Sequence, residues 1–344
     1  MRVGILTAGG DCPGLNAAIR GVARSAHEAG DEPVGIRKGF QGLAEGELHA
    51  LEPADVSGII SLGGTILSTS SFDPFSEDAV DAVVETVGSE DLGGVVTIGG
   101  EHTMELARRL YEERQLPIVG VPKTIDNDVN GTDVTFGYDT AAEIATEAID
   151  RLRTTAQSHD RVIVVEVMGR YTGWIALRSG IAGGADAILI PERDTPIEDV
   201  AEGVVARSER GKHFSVIVVA EGARLCFRSG EARTVSAYEQ NDPYGYPRLG
   251  GIGTAVASEL ESRTGFQTRV TILGHVQRGG TPTAADRFLA SALGAKAYDL
   301  ASAGETGTMA AVEGNGIVGV PLAETAGVRE ADAEIQRLAD RLSG

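Results

Sequence analysis

The stretch Val95-Val96-Thr97-Ile98-Gly99-Gly100-Glu101-His102-Thr103-Met104-Glu105-Leu106-Ala107-Arg108-Arg109 reads as a strand, a glycine turn and the start of a helix. Val3-Gly4-Ile5-Leu6-Thr7-Ala8-Gly9-Gly10-Asp11-Cys12-Pro13-Gly14, running into Leu15 to Arg20, repeats that order. Four further apolar runs empty into charged or glycine-rich loops: Ile118 to Val121, Val162 to Val167, Val216 to Ala220 and Arg269 to Leu273. Unbroken β-branched runs, in place of an alternating pattern, indicate parallel strands covered on both faces. Helical stretches fill the gaps, at about 15–29, 78–88, 102–115, 139–156, 172–182, 197–210, 250–265 and 283–303. The reading is an α/β fold, and in such sheets ligands bind beyond the carboxyl ends of the strands.

Those ends carry Asp126, Asp128, Glu101, Arg170, Glu221, His275 and Arg278. Acids and arginines together suit an anionic, phosphorylated substrate and a metal. Any one of these charges alone is as well explained by solvation. The two Gly-Gly turns let backbone N–H groups approach phosphate oxygens at a helix N-terminus. Neither turn is GxGxxG or a Walker A loop, so no standard dinucleotide or P-loop signature is present.

The loop Pro122-Lys123-Thr124-Ile125-Asp126-Asn127-Asp128 carries the most chemistry. Pro122 removes a ladder donor, so the strand is expected to end there. Two carboxylates beside a hydroxyl and a cation suit removal of a proton near phosphates, one as base and the other facing a metal. An Asp/Asn-rich turn held by local hydrogen bonds fits the same residues.

GGDCPGLNAAIRG (9–21), PKTIDND (122–128), GTD (131–133), AIDRLR (148–153), VEVMGR (165–170) and LGHVQRGGTPTAADR (273–287) together resemble the phosphofructokinases, in the same order from about residue 1 to residue 305. The resemblance implies two Rossmann-like three-layer domains with largely parallel sheets and the active site in the cleft between them. Residues 1–137 with about 277–327 would bind the phosphoryl donor, and about 138–276 with the C-terminal tail the sugar phosphate. It implies a glycolytic 6-phosphofructokinase using Mg²⁺ and either ATP or pyrophosphate on fructose 6-phosphate. Asp126 would take the proton from the C1 hydroxyl, with Thr124 and Asp128 positioning sugar, phosphate and metal. Met168, Gly169 and Arg170 would line the sugar pocket, with Arg170 countering charge on the transferred group, and Glu221 would hold sugar hydroxyls. Arg161, Arg269, His275 and Arg278 would bind the 6-phosphate, the first two from a neighbouring subunit of a homo-oligomer, a tetramer or a dimer. Gly10, Gly100, Glu101, His102, Thr103 and Lys123 would face the donor, with Glu101 near magnesium.

Departures from the family pattern gather on the donor side. His102 stands where ATP users have glycine and pyrophosphate users aspartate, while Lys123 is the residue of pyrophosphate users and some related ATP users. Ser71 replaces an arginine that bridges donor and sugar phosphates. Pyrophosphate therefore takes a slight lead on steric grounds, with ATP close behind. A sugar-phosphate-binding homologue with impaired donor use, and another sugar-phosphate or NAD kinase-like enzyme, stay open as alternatives. Arg20, Arg24, Arg153 and Lys212 match basic effector positions of allosteric members, but Pro53 replaces another arginine there, so effector control is not expected.

The chain has 344 residues, 42% of them hydrophobic, enough for a large core in two lobes. Fifty acidic against 30 basic residues give a net charge of −20, which argues against nucleic acid or an anionic membrane as partner. A well-solvated surface or adaptation to high salt explains that charge. Cys12 and Cys226 provide no disulfide framework; Cys12 reads as a small buried thiol. With a strand opening at the N-terminus and no apolar span, a cytoplasmic location is expected. Leu225 to Gly250 lacks periodicity and reads as a surface insertion, and Val328 to Leu342 as a helical packing or subunit element.

Overall fold

The computed structural model describes residues 1–241 and 247–343. It comprises two compact units, Met1–Thr140 with Arg278–Arg329, and Ala141–Gln277 with Glu330–Gly344.

The first unit is built on β1 (Arg2–Thr7), β2 (Glu32–Ile36), β3 (Leu48–Ala50), β4 (Leu92–Gly99), β5 (Ile118–Thr124), β6 (Phe136–Gly137), β15 (Thr308–Glu313) and β16 (Gly316–Pro321). Its helices are α1 (Leu15–Ala29), α2 (Phe40–Glu45), α3 (Val80–Ser89), α4 (Glu101–Arg114) and α9 (Ala284–Ser302). The sheet order is β16-β15-β5-β4-β1-β2-β3, with β6 beside β5. β15, β5, β4, β1 and β2 run parallel, and β3 and β16 close the edges antiparallel. Val3, Ile5, Val95, Val96, Ile118 and Val119 are fully buried, as strands covered on both faces require. α1 and α9 approach closely through glycines: a Cβ on Gly21 would lie 2.4 Å from Ser291 O, and one on Gly294 2.3 Å from Ala18 O.

β5 does not stop at Pro122. Pro122 lies opposite Gly99, the last residue of β4, so its missing N–H falls where that ladder ends. Lys123 and Thr124 then pair with Phe136 and Gly137 of β6, which extends the strand to Thr124.

The second unit contains α5 (Tyr138–Ser158, whose first three residues belong to the first unit), β7 (Val162–Val167), α6 (Trp174–Ala182), β8 (Ala187–Leu189), α7 (Ile197–Glu209), β9 (Ser215–Ala220), α8 (Ile252–Thr264), β14 (Thr268–Ile272) and α10 (Ala333–Leu342). Its four-stranded sheet, β14-β7-β9-β8, is parallel throughout. The stretch expected as a surface insertion contains two antiparallel pairs, β10 (Leu225–Cys226) with β11 (Ala232–Arg233) and β12 (Ser236–Asn241) with β13 (Pro247–Leu249). It is not wholly on the surface, because Leu225 and Cys226 are buried; residues 242–246 lie outside the described residues. α10 is the tail helix expected from the sequence, and Arg193 donates to Asp340 at 2.6 Å to hold it.

Candidate active site

In the first unit, β1, β4 and β5 deliver three loops from adjacent strands. Gly9 N–H donates to Ser70 O at 3.0 Å, and the Thr69 hydroxyl to Gly9 O at 2.6 Å, so the segment carrying Ser71 braces the first glycine turn. Lys123, buried at the end of β5, donates from Nζ to the Gly10 carbonyl. Arg278 donates to Asp11 O at 3.2 Å. A Cβ on Gly10 would lie 2.6 Å from the Arg278 guanidinium, so a side chain there would displace the guanidinium from this turn. Burial lowers the Lys123 pKa, and the Arg278 charge lowers it further. Burial also pushes the Cys12 thiol up to about 12, which fits the inert buried cysteine expected from the sequence.

Gly100 precedes α4 in an extended conformation and makes no side-chain cap, and neither does Gly14 before α1. The first-turn N–H groups of both helices therefore have no capping side chain, an arrangement suited to phosphate oxygens. Glu101 and His102 are half-buried on the first turn of α4, and Thr103 is buried. Burial raises the Glu101 pKa, opposed by His102.

Thr124 ends β5, and its hydroxyl accepts from Asp126 N–H at 3.0 Å. Asn127 takes a left-handed backbone (φ 54°), and its Oδ1 accepts from Thr135 N–H at 2.9 Å. This turn leaves Asp126 half-buried and Asp128 buried, 9% exposed. Burial and then the Asp126 charge push Asp128 up to about 7, with Glu101 adding to the rise and a Thr124 hydrogen bond opposing it. Asp126 and Glu101 thus both act on the Asp128 carboxyl at the tips of β4 and β5. No group of three or more His, Cys, Asp or Glu arranged to hold a metal occurs among the described residues. Mg²⁺ characteristically takes one or two carboxylates and completes its shell with water and substrate phosphate, and this carboxylate set fits that habit.

In the second unit, β7 runs into Met168, Gly169 and Arg170, and β9 into Glu221 and Gly222. Glu221 N–H donates to Val167 O at 2.8 Å, and Gly222 N–H to Gly169 O at 2.9 Å. A Cβ on Gly222 would come within 1.9 Å of Arg170 O, so only glycine lets the two loops lie together. Met168 is 8% exposed, Arg170 and Glu221 are half-buried, and His275 is exposed beyond β14. Arg161 and Arg269 stand elsewhere. Arg161 precedes the first residue of β7, and Arg269 pairs with Ile163. Both therefore sit at the amino ends of their strands, roughly 20 Å along β7 from Met168 at about 3.3 Å per residue.

A surface hollow of about 430 Å³ lined by Glu198, Glu202, Glu209 and Arg263 includes none of these residues, and its acidic wall is unsuited to phosphate.

The family model for phosphofructokinase matches residues 2–301. The chain belongs to the phosphofructokinase family. It is 50% identical over 326 residues to the pyrophosphate–fructose 6-phosphate 1-phosphotransferase of Streptomyces coelicolor, covering 94% of each chain. It is also 50% identical over 336 residues to the ATP-dependent 6-phosphofructokinase of Chloroflexus aurantiacus, covering 95% of this chain and 91% of that one. A structure of phosphofructokinase from Saccharomyces cerevisiae superposes with a TM-score of 0.80 and 32% identity, over 99% of this chain but 46% of the yeast chain. A pyrophosphate-dependent phosphofructokinase from Marinobacter aquaeolei shares the fold, with a TM-score of 0.82 at 22% identity over 100% of this chain and 92% of that one.

Within this phosphofructokinase fold, several supporting residues escape a reading of the sequence. Glu166 lies inside the VEVMGR motif, yet its buried carboxylate accepts from Gly251 and Gly253 N–H at 3.0 and 2.8 Å, at the start of α8. Glu192 accepts from Gly173 N–H at 2.9 Å, just before α6. Arg329 reaches the Asp126–Asp128 turn. Among the described residues no helix is long and apolar enough to cross a membrane.

Proposed function

We propose that this chain is a 6-phosphofructokinase that transfers a phosphoryl group from pyrophosphate or ATP to the C1 hydroxyl of fructose 6-phosphate, giving fructose 1,6-bisphosphate in glycolysis. The observation that carries the reading is the carboxylate turn after β5, where half-buried Asp126 stands beside buried Asp128. In that role Asp126 accepts the C1 hydroxyl proton as the sugar oxygen attacks the donor phosphorus. Thr124 fixes the turn through Asp126 N–H. Arg170 neutralises charge on the transferred group, and Met168, Gly169 and Glu221 hold the sugar. His275 and Arg278 bind the 6-phosphate, and the uncapped start of α4, from Gly100 to Thr103, with Gly10 receives the donor. Phosphoryl transfer depends mainly on such positioning and charge neutralisation. Mg²⁺, held by Glu101 with Asp128, would supply neutralisation of the donor phosphates.

Arg161 and Arg269 lie at the amino ends of the strands whose carboxyl ends carry the other sugar-phosphate residues, which supports their serving a neighbouring subunit. The active protein in this reading is a homo-oligomer, a tetramer or a dimer. Pyrophosphate is the slightly favoured donor, because His102 narrows the space that glycine leaves for a nucleotide. A cytoplasmic location and adaptation to high salt complete the reading, the latter resting on the −20 charge. A homologue that binds the sugar phosphate without turnover is the second reading, favoured by Ser71 in place of the bridging arginine. The deciding experiment assays fructose 6-phosphate and Mg²⁺ with pyrophosphate and with ATP, at low and at molar KCl. Bisphosphate production with either donor supports the kinase, and binding without turnover on either supports the second reading.

A further inference from the structure

We infer that Arg329 is a positioning residue for the Asp126–Asp128 carboxylate turn. The inference deepens the kinase reading and rests on it. The turn is shaped by Asn127 in a left-handed conformation, which costs most side chains about 1–2 kcal/mol and which asparagine tolerates better than most. A backbone of that kind persists when its surroundings hold it. One side is held by Thr135, whose N–H donates to Asn127 Oδ1 at 2.9 Å and whose hydroxyl donates to Thr124 O at 2.8 Å. The other side is held by the segment that ends the first unit. Asn130 Nδ2 donates to Ala326 O at 2.7 Å, and Val129 and Val328 form an antiparallel bridge. Arg329 N–H then donates to Asp128 O at 2.9 Å, and its guanidinium to Asn127 O at 3.2 Å.

A single residue therefore takes up the two successive carbonyls that follow Asp126, one through its backbone and one through its side chain. Carbonyls of buried residues in an irregular turn need partners, and here both come from Arg329. The segment is anchored beyond this point as well. Within the second unit, buried Ala331 N–H donates to Glu192 at 3.1 Å, and the same carboxylate accepts from Gly173 N–H. Within the first unit, Arg329 is bonded to the turn through both its backbone and its guanidinium, and its side chain is not a loose tail group. Its role is to hold the turn that orients the Asp126 and Asp128 carboxyls.

Substitution of the side chain leaves the backbone bond to Asp128 O in place, so Arg329→Ala isolates the guanidinium. Arg329→Lys returns a charged donor, and Arg329→Gln a neutral one. The measurements are kcat, the KM for fructose 6-phosphate, and amide hydrogen exchange at residues 127–129 on the intact protein. Arg329→Ala is expected to lower kcat by about 10–100-fold, the scale of a small misplacement of catalytic groups, while KM stays within about twofold because the phosphate-binding arginines are untouched. Exchange at 127–129 should accelerate locally, and Arg329→Lys should recover most of both effects. Recovery by Arg329→Gln assigns the effect to the hydrogen bond, and failure by Gln alone assigns it to the charge; both uphold the positioning role. Unchanged exchange with near-native kcat overturns it, as does a change confined to KM. If the wild-type protein turns over neither donor, the kinase reading fails, and local exchange in Arg329→Ala still decides whether Arg329 holds the turn.

Discussion

The ammonium of Lys123, at the end of β5, donates to the carbonyl of Gly10 in the turn after β1. The sequence presents Lys123 as a cation beside the donor; the structure shows it also joining the tips of β5 and β1 across β4. Lys123→Met keeps most of the buried volume and removes that bond. We expect KM to rise by about tenfold for pyrophosphate and ATP alike, the loss of one charge-assisted hydrogen bond worth about 1.5 kcal/mol. The Tm should hold or rise, because an apolar side chain replaces a buried cation. A change in KM for only one donor would show that Lys123 reads the donor directly.

Asp126→Asn should fold and bind fructose 6-phosphate normally, since the bond to Thr124 that shapes the turn comes from the Asp126 N–H, which the substitution keeps. Its kcat should fall by roughly 10²–10⁴, the range for a lost general base. Near-native kcat would remove Asp126 from that role.

Asp128 gives a pH signature in stability. Its folded pKa, pushed up to about 7 by burial and the Asp126 charge, lies above its ordinary 3.8. Between about pH 4 and pH 7 the native state keeps a proton that the unfolded chain has released, so stability falls as pH rises through that window and levels off above it. Asp128→Asn removes this dependence. With a chelator present to exclude metal, the Tm of the variant relative to wild type should be higher at about pH 8 than at about pH 5. Equal differences at both values would mean that Asp128 ionises freely in the fold.

Six of the parallel strands, β1, β4, β5, β7, β9 and β14, and the main helices are legible because each of these runs is rich in β-branched residues and ends in glycine or charge, as in Val162 to Gly169. Strands without that signature were missed. β2 is only Glu32-Pro33-Val34-Gly35-Ile36, and it forms because β1 offers it an edge. Pro122 misled for the opposite reason, since the local rule is sound and tertiary pairing with β6 overrode it. The carboxylate turn was visible in composition, but its brace was not. Arg329 lies 202 residues from Asn127, and no local pattern links them.

Arg161 and Arg269 allow a test of shared sites. Arg161→Ala and Asp126→Asn should each be nearly inactive alone. If Arg161 serves a neighbour, oligomers mixed at random from the two variants contain some sites with both native residues. Activity should then recover to about one quarter of wild type, as symmetric exchange between paired subunits requires. No recovery after verified subunit exchange would place Arg161 with its own chain's site, or outside it.

His102 decides the last expectation. It is half-buried on the first turn of α4, one residue after Glu101, at the helix end suited to donor phosphates. In the proposed reading a glycine there would leave room for the body of a nucleotide, and an imidazole would narrow that room without adding the negative charge of an aspartate. Pyrophosphate needs no such room, because its phosphates can be met by the N–H groups of the turn and by Mg²⁺. His102→Gly should therefore raise kcat/KM for ATP relative to pyrophosphate, each tenfold change corresponding to about 1.4 kcal/mol of differential transition-state binding. Glycine also weakens the first turn of α4, so part of the activity with both donors should be lost together. The ratio separates the two effects, since helix fraying lowers both donors alike and a steric gate moves one against the other. An unchanged ratio would mean that His102 faces away from the nucleotide body and that the donor is chosen elsewhere on the first unit.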